Sequence, residues 1–291
     1  MYRDIIEVGR PYRILEHLHR FSPGKRPVPC VVEGNTFSRL LPIHGEYIPA
    51  KAIIQEEEGY VELIWYGDEK FREKIFRVMG HLLSVDVNYN HFLHALEDYP
   101  ALLKTAKRYE GLRPARNLNV YEALIKVVIQ QRIAMRIALN IIAKLVETYG
   151  NVKEMYGYKY YSFPSAHRLS RVYEEKIKAL GLTNMKARSI VEIAKMEANG
   201  ELPSLEDVEK NPQECIESLL SIYGVGRWTA ELTLATLRHD FSIGPAGDLN
   251  VMKGFKRFGL RSEREIRSFL SRFGEWKGLL MYILALDVEN R

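Results

Sequence analysis

A carboxylate and a glycine-flanked turn are the parts of this sequence best suited to chemistry. The turn reads Gly224-Val225-Gly226 and lies between an apolar stretch and a helix predicted to begin near Arg227. Glycine permits backbone angles and close approaches that other residues do not. The unpaired N–H groups of a helix start can hold a phosphate. Further on, Asp248 opens another predicted helix. That is an N-cap position, but a carboxylate there could also stabilise a cation or activate water.

The composition is that of a globular protein of more than one domain. The chain has 291 residues, of which 46% are hydrophobic and 27% charged, so we expect two or three domains and no extended disorder. Lys and Arg number 42 against 37 Asp and Glu, and the net charge is +5. This excess suits a polyanionic partner but does not by itself establish one.

The cysteines and the N-terminus exclude several classes of protein. Cys30 and Cys215 are too few for a zinc site or an iron–sulfur cluster, and we interpret them as reduced thiols. The first residues have no apolar signal core, and no apolar run is long enough to cross a membrane. We therefore expect no membrane association and a cytoplasmic or nucleoid-associated location.

Two regions with different periodicity must position these residues. Residues 1–87 contain short β-prone runs, a hairpin tip at 56–59 and one helical segment at 70–79. Residues 88–291 have helical spacing, including a single long helix predicted from Tyr121 to a C-cap at Gly150. We predict an α+β protein in which an N-terminal sheet domain precedes a mostly helical body.

Several segments together resemble one family of DNA-repair enzymes. Residues 219–230 are similar to the helix–hairpin–helix of the HhH-GPD glycosylase superfamily, and Asp248 follows at the position of its catalytic aspartate. Segments 111–114, 121–134, 181–190 and 273–282 resemble its AlkA-type branch, the 3-methyladenine DNA glycosylases II. The resemblance covers most of the chain. It implies a TBP-like antiparallel sheet domain and two helical subdomains with the cleft between them.

The resemblance also implies a reaction and a partner. The expected activity is monofunctional hydrolysis of alkylated bases, such as 3-methyladenine and 7-methylguanine, from duplex DNA after base flipping. Asp248 would be the catalytic residue. Residues expected to contact DNA are Gly224, Gly226, Thr229, Gln131 and Arg132. Arg132 would fill the gap left by the flipped nucleotide, although a solvated surface arginine explains it equally well.

The expected base pocket contains Trp228, Leu232 and Phe273. Aromatic faces attract cationic alkylated bases, but core packing is a serious alternative for both aromatic residues. Relatives that also nick the strand carry a nucleophilic lysine where this chain has Trp228, so no Schiff base is expected. Leu232 stands where the AlkA-type branch has an aromatic residue, and Phe273 stands at the position of its stacking tryptophan, which leaves the preferred lesion open.

No cofactor is expected, apart from a structural ion. Relatives bind K⁺ or Na⁺ through hairpin carbonyl groups, and the matching residues are Leu220, Ile222 and Val225. The expected functional form is a monomer on double-stranded DNA.

Other functions stay open at this point. The chain could be an oxidised-purine or hypoxanthine glycosylase, a glycosylase with lyase activity, or a non-catalytic helix–hairpin–helix module. An enzyme independent of nucleic acid fits less well, because its histidines have no metal-binding spacing; they are His17, His19, His81, His91 and His94.

Overall fold

A five-stranded antiparallel sheet, with strand order β1-β5-β4-β3-β2, forms the N-terminal part of the computed structural model, which describes residues 1–22 and 24–290. Its strands are β1 (Tyr2–Glu7), β2 (Val31–Glu33), β3 (Thr36–Ile43), β4 (Glu46–Gln55) and β5 (Tyr60–Trp65). Helix α1 (Leu15–Arg20), a 3₁₀ turn (Glu69–Phe71) and α2 (Arg72–Leu82) complete this part. The predicted hairpin tip at 56–59 is confirmed, since Gln55 pairs with Tyr60 across it.

Strand β1 was not predicted, because its pattern is inverted. Ile5 is 64% exposed, whereas the Asp4 carboxylate points inward. Asp4 accepts hydrogen bonds from the Trp65 indole (3.0 Å) and from the Arg72 guanidinium (2.8 Å to Nε). A buried carboxylate is stable when it is satisfied in this way.

Helices dominate the rest of the chain. They are α3 (Tyr89–His94), α4 (Pro100–Arg108), α5 (Val120–Gln130), α6 (Met135–Tyr149), α7 (Ala166–Leu169), α8 (Glu174–Lys178), α9 (Asn184–Ala198), α10 (Leu205–Lys210), α11 (Pro212–Leu220), α12 (Arg227–Ala235), α13 (Leu249–Lys256), α14 (Glu263–Leu270) and α15 (Lys277–Glu289), with a 3₁₀ segment (Ser271–Trp276) before α15. A two-stranded hairpin, β6 (Val152–Met155) and β7 (Tyr158–Tyr161), interrupts them. No described helix is long and apolar enough to cross a bilayer.

The single long helix predicted from Tyr121 is wrong. The chain breaks after Gln130, and a new helix begins at Met135. Arg132, between the two helices, has a φ of 53°, which a right-handed helix does not contain. The apolar periodicity of the sequence continues across residues 131–134, so the pattern does not indicate the break between the two helices. The predicted C-cap at Gly150 is confirmed.

Three hydrophobic clusters hold the molecule together. One lies between the sheet and its helices and contains residues between Ile6 and Leu83. A second is built largely from α5, α6, α9, α11 and α12. The third contains residues from 87–112 and from 241–286. Segments before and after the hairpin therefore pack together in this cluster. The helical body thus has two hydrophobic cores, and the hairpin residues Ile222 and Val225 belong to the second cluster. The division into two helical subdomains and the boundaries, 1–87 and 88–291, stay predictions.

A buried ion pair joins the sheet to the helical body. The guanidinium of Arg39 on β3 donates two hydrogen bonds to the Glu122 carboxylate on α5, one of them 3.1 Å from Nη1 to Oε1. Both side chains are 2% exposed. Because a buried charge needs its partner, this pair fixes how the sheet sits on α5.

Candidate active site

Asp248 uses its two carboxylate oxygens for two different contacts. Oδ1 caps α13 by accepting hydrogen bonds from the N–H groups of Asn250 (2.8 Å) and Val251 (3.2 Å). Oδ2 accepts a hydrogen bond of 3.0 Å from the Trp228 indole N–H on α12. The capping role and a chemical role are therefore compatible, since the cap fixes the carboxylate that Trp228 orients. Asp248 keeps partial exposure.

A charged network supports the segment that carries Asp248. Glu231 on α12 is 3% exposed and accepts a hydrogen bond of 2.9 Å from Arg267 on α14. Arg267 also pairs with Glu263 at 2.7 Å. The Glu263 carboxylate packs against Gly247, where a Cβ would lie 2.6 Å from Oε2. The network thus links α12 to α14 and places the Glu263 carboxylate beside the segment before Asp248.

The hairpin glycines have different roles. Gly224 has a φ of +79°, and a Cβ there would lie 2.5 Å from the Ser189 hydroxyl, so both angle and space require glycine. Gly226 is the N-cap of α12 with a φ of −99°, an angle open to any residue. No atom lies within 4 Å of a Cβ built on Gly226, which leaves its backbone open to a ligand. Val225 between them is 6% exposed and packs into the core.

The segment after α5 is tied to the hairpin. The Gln131 amide donates to the Gly224 carbonyl (3.0 Å) and to the Thr229 hydroxyl (2.9 Å). Lys186 on α9 donates to the carbonyls of Ile129 (2.9 Å) and Gln131 (2.6 Å). Burial lowers the pKa of Lys186. We call residues 131–134 the wedge segment.

These contacts determine which groups of the expected DNA-binding residues are free to bind DNA. The Gln131 amide is engaged with the hairpin, and the Thr229 side chain is 3% exposed and bonded to Gln131. Their side chains therefore position the hairpin, and Thr229 would offer DNA its backbone N–H. Arg132 is exposed and follows Gln131, whose side chain binds the hairpin; its role as the residue that fills the gap stays a prediction.

Helices α12 and α15 bound the candidate active site. Trp228, Leu232 and Thr236 follow one face of α12 at four-residue intervals and are all half-buried. Helix α15 runs the opposite way, because Gly278 at its start donates to Phe241 beyond the end of α12 (2.5 Å). At its far end, Glu289 accepts a hydrogen bond of 2.8 Å from Asn250. We call the region between these two helices the active-site cleft, and the end of it where Asp248, Trp228 and Asn250 lie its mouth.

The structure does not bring Phe273 into this cleft. Its ring is 3% exposed in the third core, 5.0 Å from the ring of Tyr99 and 5.2 Å from that of Phe269. Stacking on a base would require the ring to leave that core. Of the three expected pocket residues, the cleft contains Trp228 and Leu232.

The carbonyl groups expected to bind K⁺ or Na⁺ lie at the turn between α11 and α12. Leu220 ends α11, and the last carbonyls of a helix have no partner within it. The Ile222 carbonyl accepts a hydrogen bond from the Val225 N–H (3.1 Å) and keeps a second lone pair. Carbonyl oxygens are suitable ligands for alkali cations, so these residues fit the ion. Side-chain groups of three or more His, Cys, Asp or Glu that could hold a metal do not occur in the described residues.

The part of the chain that contains the hairpin, the wedge segment and Asp248 matches one known family. The sequence pattern of the "HhH-GPD superfamily base excision DNA repair protein" family matches residues 125–275, more than half of the chain. This chain belongs to the HhH-GPD superfamily. The match begins within α5 and ends beyond α14, so it includes every residue at the mouth of the cleft.

Other HhH-GPD proteins extend the comparison. The chain is 29% identical to the 3-methyladenine DNA-glycosylase of Archaeoglobus fulgidus, with a TM-score of 0.85 over 99% of this chain and 98% of that one. It is 27% identical to the DNA-3-methyladenine glycosylase of Bacillus subtilis over 64% of this chain, a match that spans 61% of that relative's length. The 8-oxoguanine glycosylase/lyase of Clostridium acetobutylicum in complex with double-stranded DNA shares the fold, with 22% identity and a TM-score of 0.77 over 98% of this chain and 95% of that one.

Some residues of the site were not found by sequence reasoning. The hydrogen bond from Trp228 to Asp248 joins α12 to the start of α13, so no local sequence pattern indicates it. The role of Lys186 in holding the wedge segment was also missed. Its side chain is 6% exposed. The position of this lysine among apolar residues of α9 is the sequence feature that could have indicated a buried partner, since lysine is seldom buried without one.

Proposed function

We propose that this protein is a monofunctional DNA glycosylase that releases alkylated bases from duplex DNA. The observation that carries the proposal is the Asp248 carboxylate, held by Trp228 and by its own helix at the mouth of a cleft beside the hairpin. The similarity to two 3-methyladenine glycosylases supports the substrate class.

The proposed reaction begins with binding of the DNA backbone. Gly226 and Arg227 are exposed, and no side chain caps the first N–H groups of α12, which would hold a phosphate. A K⁺ or Na⁺ ion held by Leu220, Ile222 and Val225 would stabilise the hairpin against that phosphate. The nucleotide then rotates into the cleft, at a free energy of about a few kcal/mol that is lower for a damaged base, and Arg132 fills the gap.

Cleavage of the N-glycosidic bond leaves an oxocarbenium-like sugar. The Asp248 carboxylate would stabilise this cation or activate the water that captures it. The Trp228 indole N–H keeps the carboxylate oriented, and the ring would stack on a cationic base. Trp228 has no amine to form a Schiff base, so the strand stays intact after the base leaves.

A base-release experiment tests this proposal. Duplexes that each contain one lesion are incubated with the wild-type protein and with Asp248→Asn. We expect free alkylated base from the wild type, and abasic DNA that is cut only after alkali. Asparagine still caps a helix, so Asp248→Asn should fold and bind DNA but release base at least about a hundredfold more slowly. Near-normal release by this variant would contradict the role of Asp248.

The same duplexes separate the alternatives. A protein that binds all of them and releases nothing would be a non-catalytic module. Borohydride trapping of a protein–DNA adduct would show a lyase, and preferential release of 8-oxoguanine would show an oxidised-purine enzyme. The monomeric state, the bound cation and the cytoplasmic or nucleoid-associated location stay predictions.

A further inference from the structure

An exposed arginine stacks on an aromatic residue directly before the hairpin turn. Arg188 lies near the start of α9 and is exposed. Its guanidinium carbon lies 4.3 Å from the centroid of the Tyr223 ring, and Tyr223 is itself 45% exposed. Since Tyr223 immediately precedes Gly224, the two side chains border the hairpin turn. We call Arg188 and Tyr223 the hairpin stack.

The residue next to Arg188 fixes the backbone on which this stack is built. The Ser189 hydroxyl donates a hydrogen bond of 2.7 Å to the Tyr223 carbonyl, and Ser189 is 1% exposed. Gly224 packs against the same hydroxyl, where a Cβ would lie 2.5 Å from it. The backbone of Tyr223 and Gly224 is therefore held against α9, which sets the hairpin stack beside the turn.

Arg188 forms no ion pair with any carboxylate in the part of the chain that the structure describes. Glu192 lies one turn further along α9, at a spacing where arginine and glutamate can pair, but the guanidinium turns to Tyr223 instead. By contrast, Arg227 at the start of α12 pairs with Glu231 at 3.4 Å. A positive charge without a carboxylate partner, beside the N–H groups of a helix start, favours an anionic ligand.

The stacked geometry leaves the hydrogen-bond donors of Arg188 available. A guanidinium carries its five N–H donors at its edge, in the plane of the group, and the Tyr223 ring covers a face of that plane. The contact also restricts a long side chain, which would otherwise lose much conformational entropy on binding. A planar guanidinium held in this way can donate two parallel hydrogen bonds to a phosphate.

We propose that Arg188 binds a phosphate of the DNA strand whose backbone the hairpin holds, and that Tyr223 is a positioning residue that acts through Arg188. This inference rests on the DNA binding of the proposed function and does not depend on base excision. Tyr223 precedes the hairpin turn and Gly226 ends it. The guanidinium and the N–H groups at the start of α12 would therefore hold two phosphates of one strand from the two ends of the turn.

The salt dependence of binding to undamaged duplex DNA tests this inference. Each phosphate contact with a duplex contributes about 0.9 to the slope of log affinity against log salt concentration. Fluorescence anisotropy with a short duplex gives this slope for the wild type, Arg188→Gln and Arg188→Lys. Lys195→Gln is the matched control, because Lys195 is exposed and lies about two turns further along the same helix.

We expect Arg188→Gln to weaken binding and to reduce the steepness of the slope by about 0.9. The ratio of wild-type to variant affinity should then fall about three- to fourfold between about 50 and 200 mM salt. Arg188→Lys keeps the charge and should keep the slope. Lys195→Gln should leave both the slope and the affinity nearly unchanged.

A double-mutant cycle tests the role of Tyr223. Tyr223→Leu leaves the charge of Arg188 but removes the ring beneath it, so the affinity should fall while the slope stays nearly the same. In the double variant Arg188→Gln/Tyr223→Leu, the affinity should be no lower than in Arg188→Gln alone, because the tyrosine acts through the arginine. Additive losses would mean an independent contact of Tyr223 with DNA and would overturn its positioning role.

A neutral analogue of the DNA backbone locates the contact. Methylphosphonate replaces one phosphate at a time in each strand of the duplex. We expect one position at which the replacement weakens the wild type but leaves Arg188→Gln unaffected. It should lie in the strand that also contains the position to which Gly226→Ala is insensitive. No such position, or one in the opposite strand, would overturn the inference.

Urea denaturation checks that the variants are folded, and Arg188→Met is measured in the same way if Arg188→Gln is not. An unchanged slope in a folded Arg188 variant that lacks the charge overturns the inference. A wild type that binds no duplex DNA overturns both the inference and the proposed function. A wild type that releases alkylated base, together with an unchanged slope in the Arg188 variants, overturns the inference alone.

Discussion

At the scale of single residues, the site depends on a shared carboxylate. Asp248 stabilises α13 with one oxygen and meets Trp228 with the other. A carboxylate held from two sides has little freedom to rotate, and preorganised charge is the most effective kind in catalysis. Trp228 therefore combines an aromatic face for the base with a donor that aims the carboxylate.

Trp228→Phe separates these two contributions. The phenyl ring keeps an aromatic surface but has no N–H, so Oδ2 of Asp248 loses its 3.0 Å donor. The loss of a hydrogen bond to a charged group is worth about 1.5–3 kcal/mol. We expect base release at saturating enzyme to slow by about 10- to 100-fold with DNA affinity nearly unchanged. A loss seen in affinity alone would contradict this role.

At the scale of elements, the hairpin is a turn in which one glycine shapes the backbone and another leaves room for a ligand. Gly224 adopts a left-handed angle against Ser189 of α9, and Gly226 begins α12 with open space around it. The Gln131 side chain ties the hairpin to the wedge segment. The two proposed DNA contacts thus belong to one structural unit.

The two glycines give opposite results when each is replaced by alanine. Gly224→Ala places a methyl group 2.5 Å from the Ser189 hydroxyl at a positive φ, so it should lower the free energy of unfolding by about 1–3 kcal/mol. Gly226→Ala should fold normally and weaken DNA binding, because its methyl group would project where a phosphate approaches. Urea denaturation and fluorescence anisotropy with duplex DNA measure the two effects. Equal stability losses in both variants would refute this division.

At the scale of the whole molecule, side-chain contacts join the N-terminal part to the helical body. The Nδ1 atom of His17 on α1 lies 2.6 Å from the Tyr282 hydroxyl on α15. The buried pair of Arg39 and Glu122 joins β3 to α5. Changes in that buried pair should therefore affect how the sheet sits on the helical body.

Removing one partner of that pair should be costly. Arg39→Met leaves the Glu122 carboxylate buried, with Lys126 at 3.8 Å as its remaining cation, and we expect a loss of about 3–5 kcal/mol. The double variant Arg39→Met/Glu122→Leu should recover part of this, because the buried carboxylate is gone, while Lys126 loses that carboxylate and keeps its hydrogen bond to Asn117. Chemical denaturation of the two variants tests the idea; a double variant as unstable as the single one would exclude it.

Buried histidines predict that stability falls on mild acidification. Burial, with Arg116 as a smaller cause, lowers the pKa of His81 from 6.5 to about 4, and His17 titrates lower still. Between pH 6.5 and 4 the unfolded chain therefore binds protons that the folded chain does not, and the free energy of unfolding falls with pH by about 1.4 kcal/mol per unit per histidine. Urea denaturation at pH 7.5, 6.0 and 5.0 measures this slope, which His81→Gln should reduce. A slope unchanged in that variant would contradict the assignment.

The sequence predicts the parts of this molecule that local chemistry determines. Glycines, a capping aspartate and helical periodicity indicated the hairpin, the start of α13 and the helical body, and a resemblance on those residues indicated the family. Contacts between distant segments were out of reach: the indole of Trp228 on Asp248, Lys186 beneath the wedge segment and the inward Asp4 of β1. Phe273 shows a second limit of sequence analysis. Its residue type suits a base pocket, but an aromatic residue can equally pack in a core, as this one does.

The wedge segment is already ordered before any DNA arrives. Lys186 and Gln131 hold its backbone, and Arg132 stands in a left-handed conformation at its tip. The conformational entropy of that segment is lost when the chain folds, so ordering the segment adds no further entropic cost each time the protein meets DNA. As the protein moves along a duplex it would therefore present the same rigid probe to every base pair. The weakness of a base pair, and not the flexibility of the protein, would then decide where the search stops.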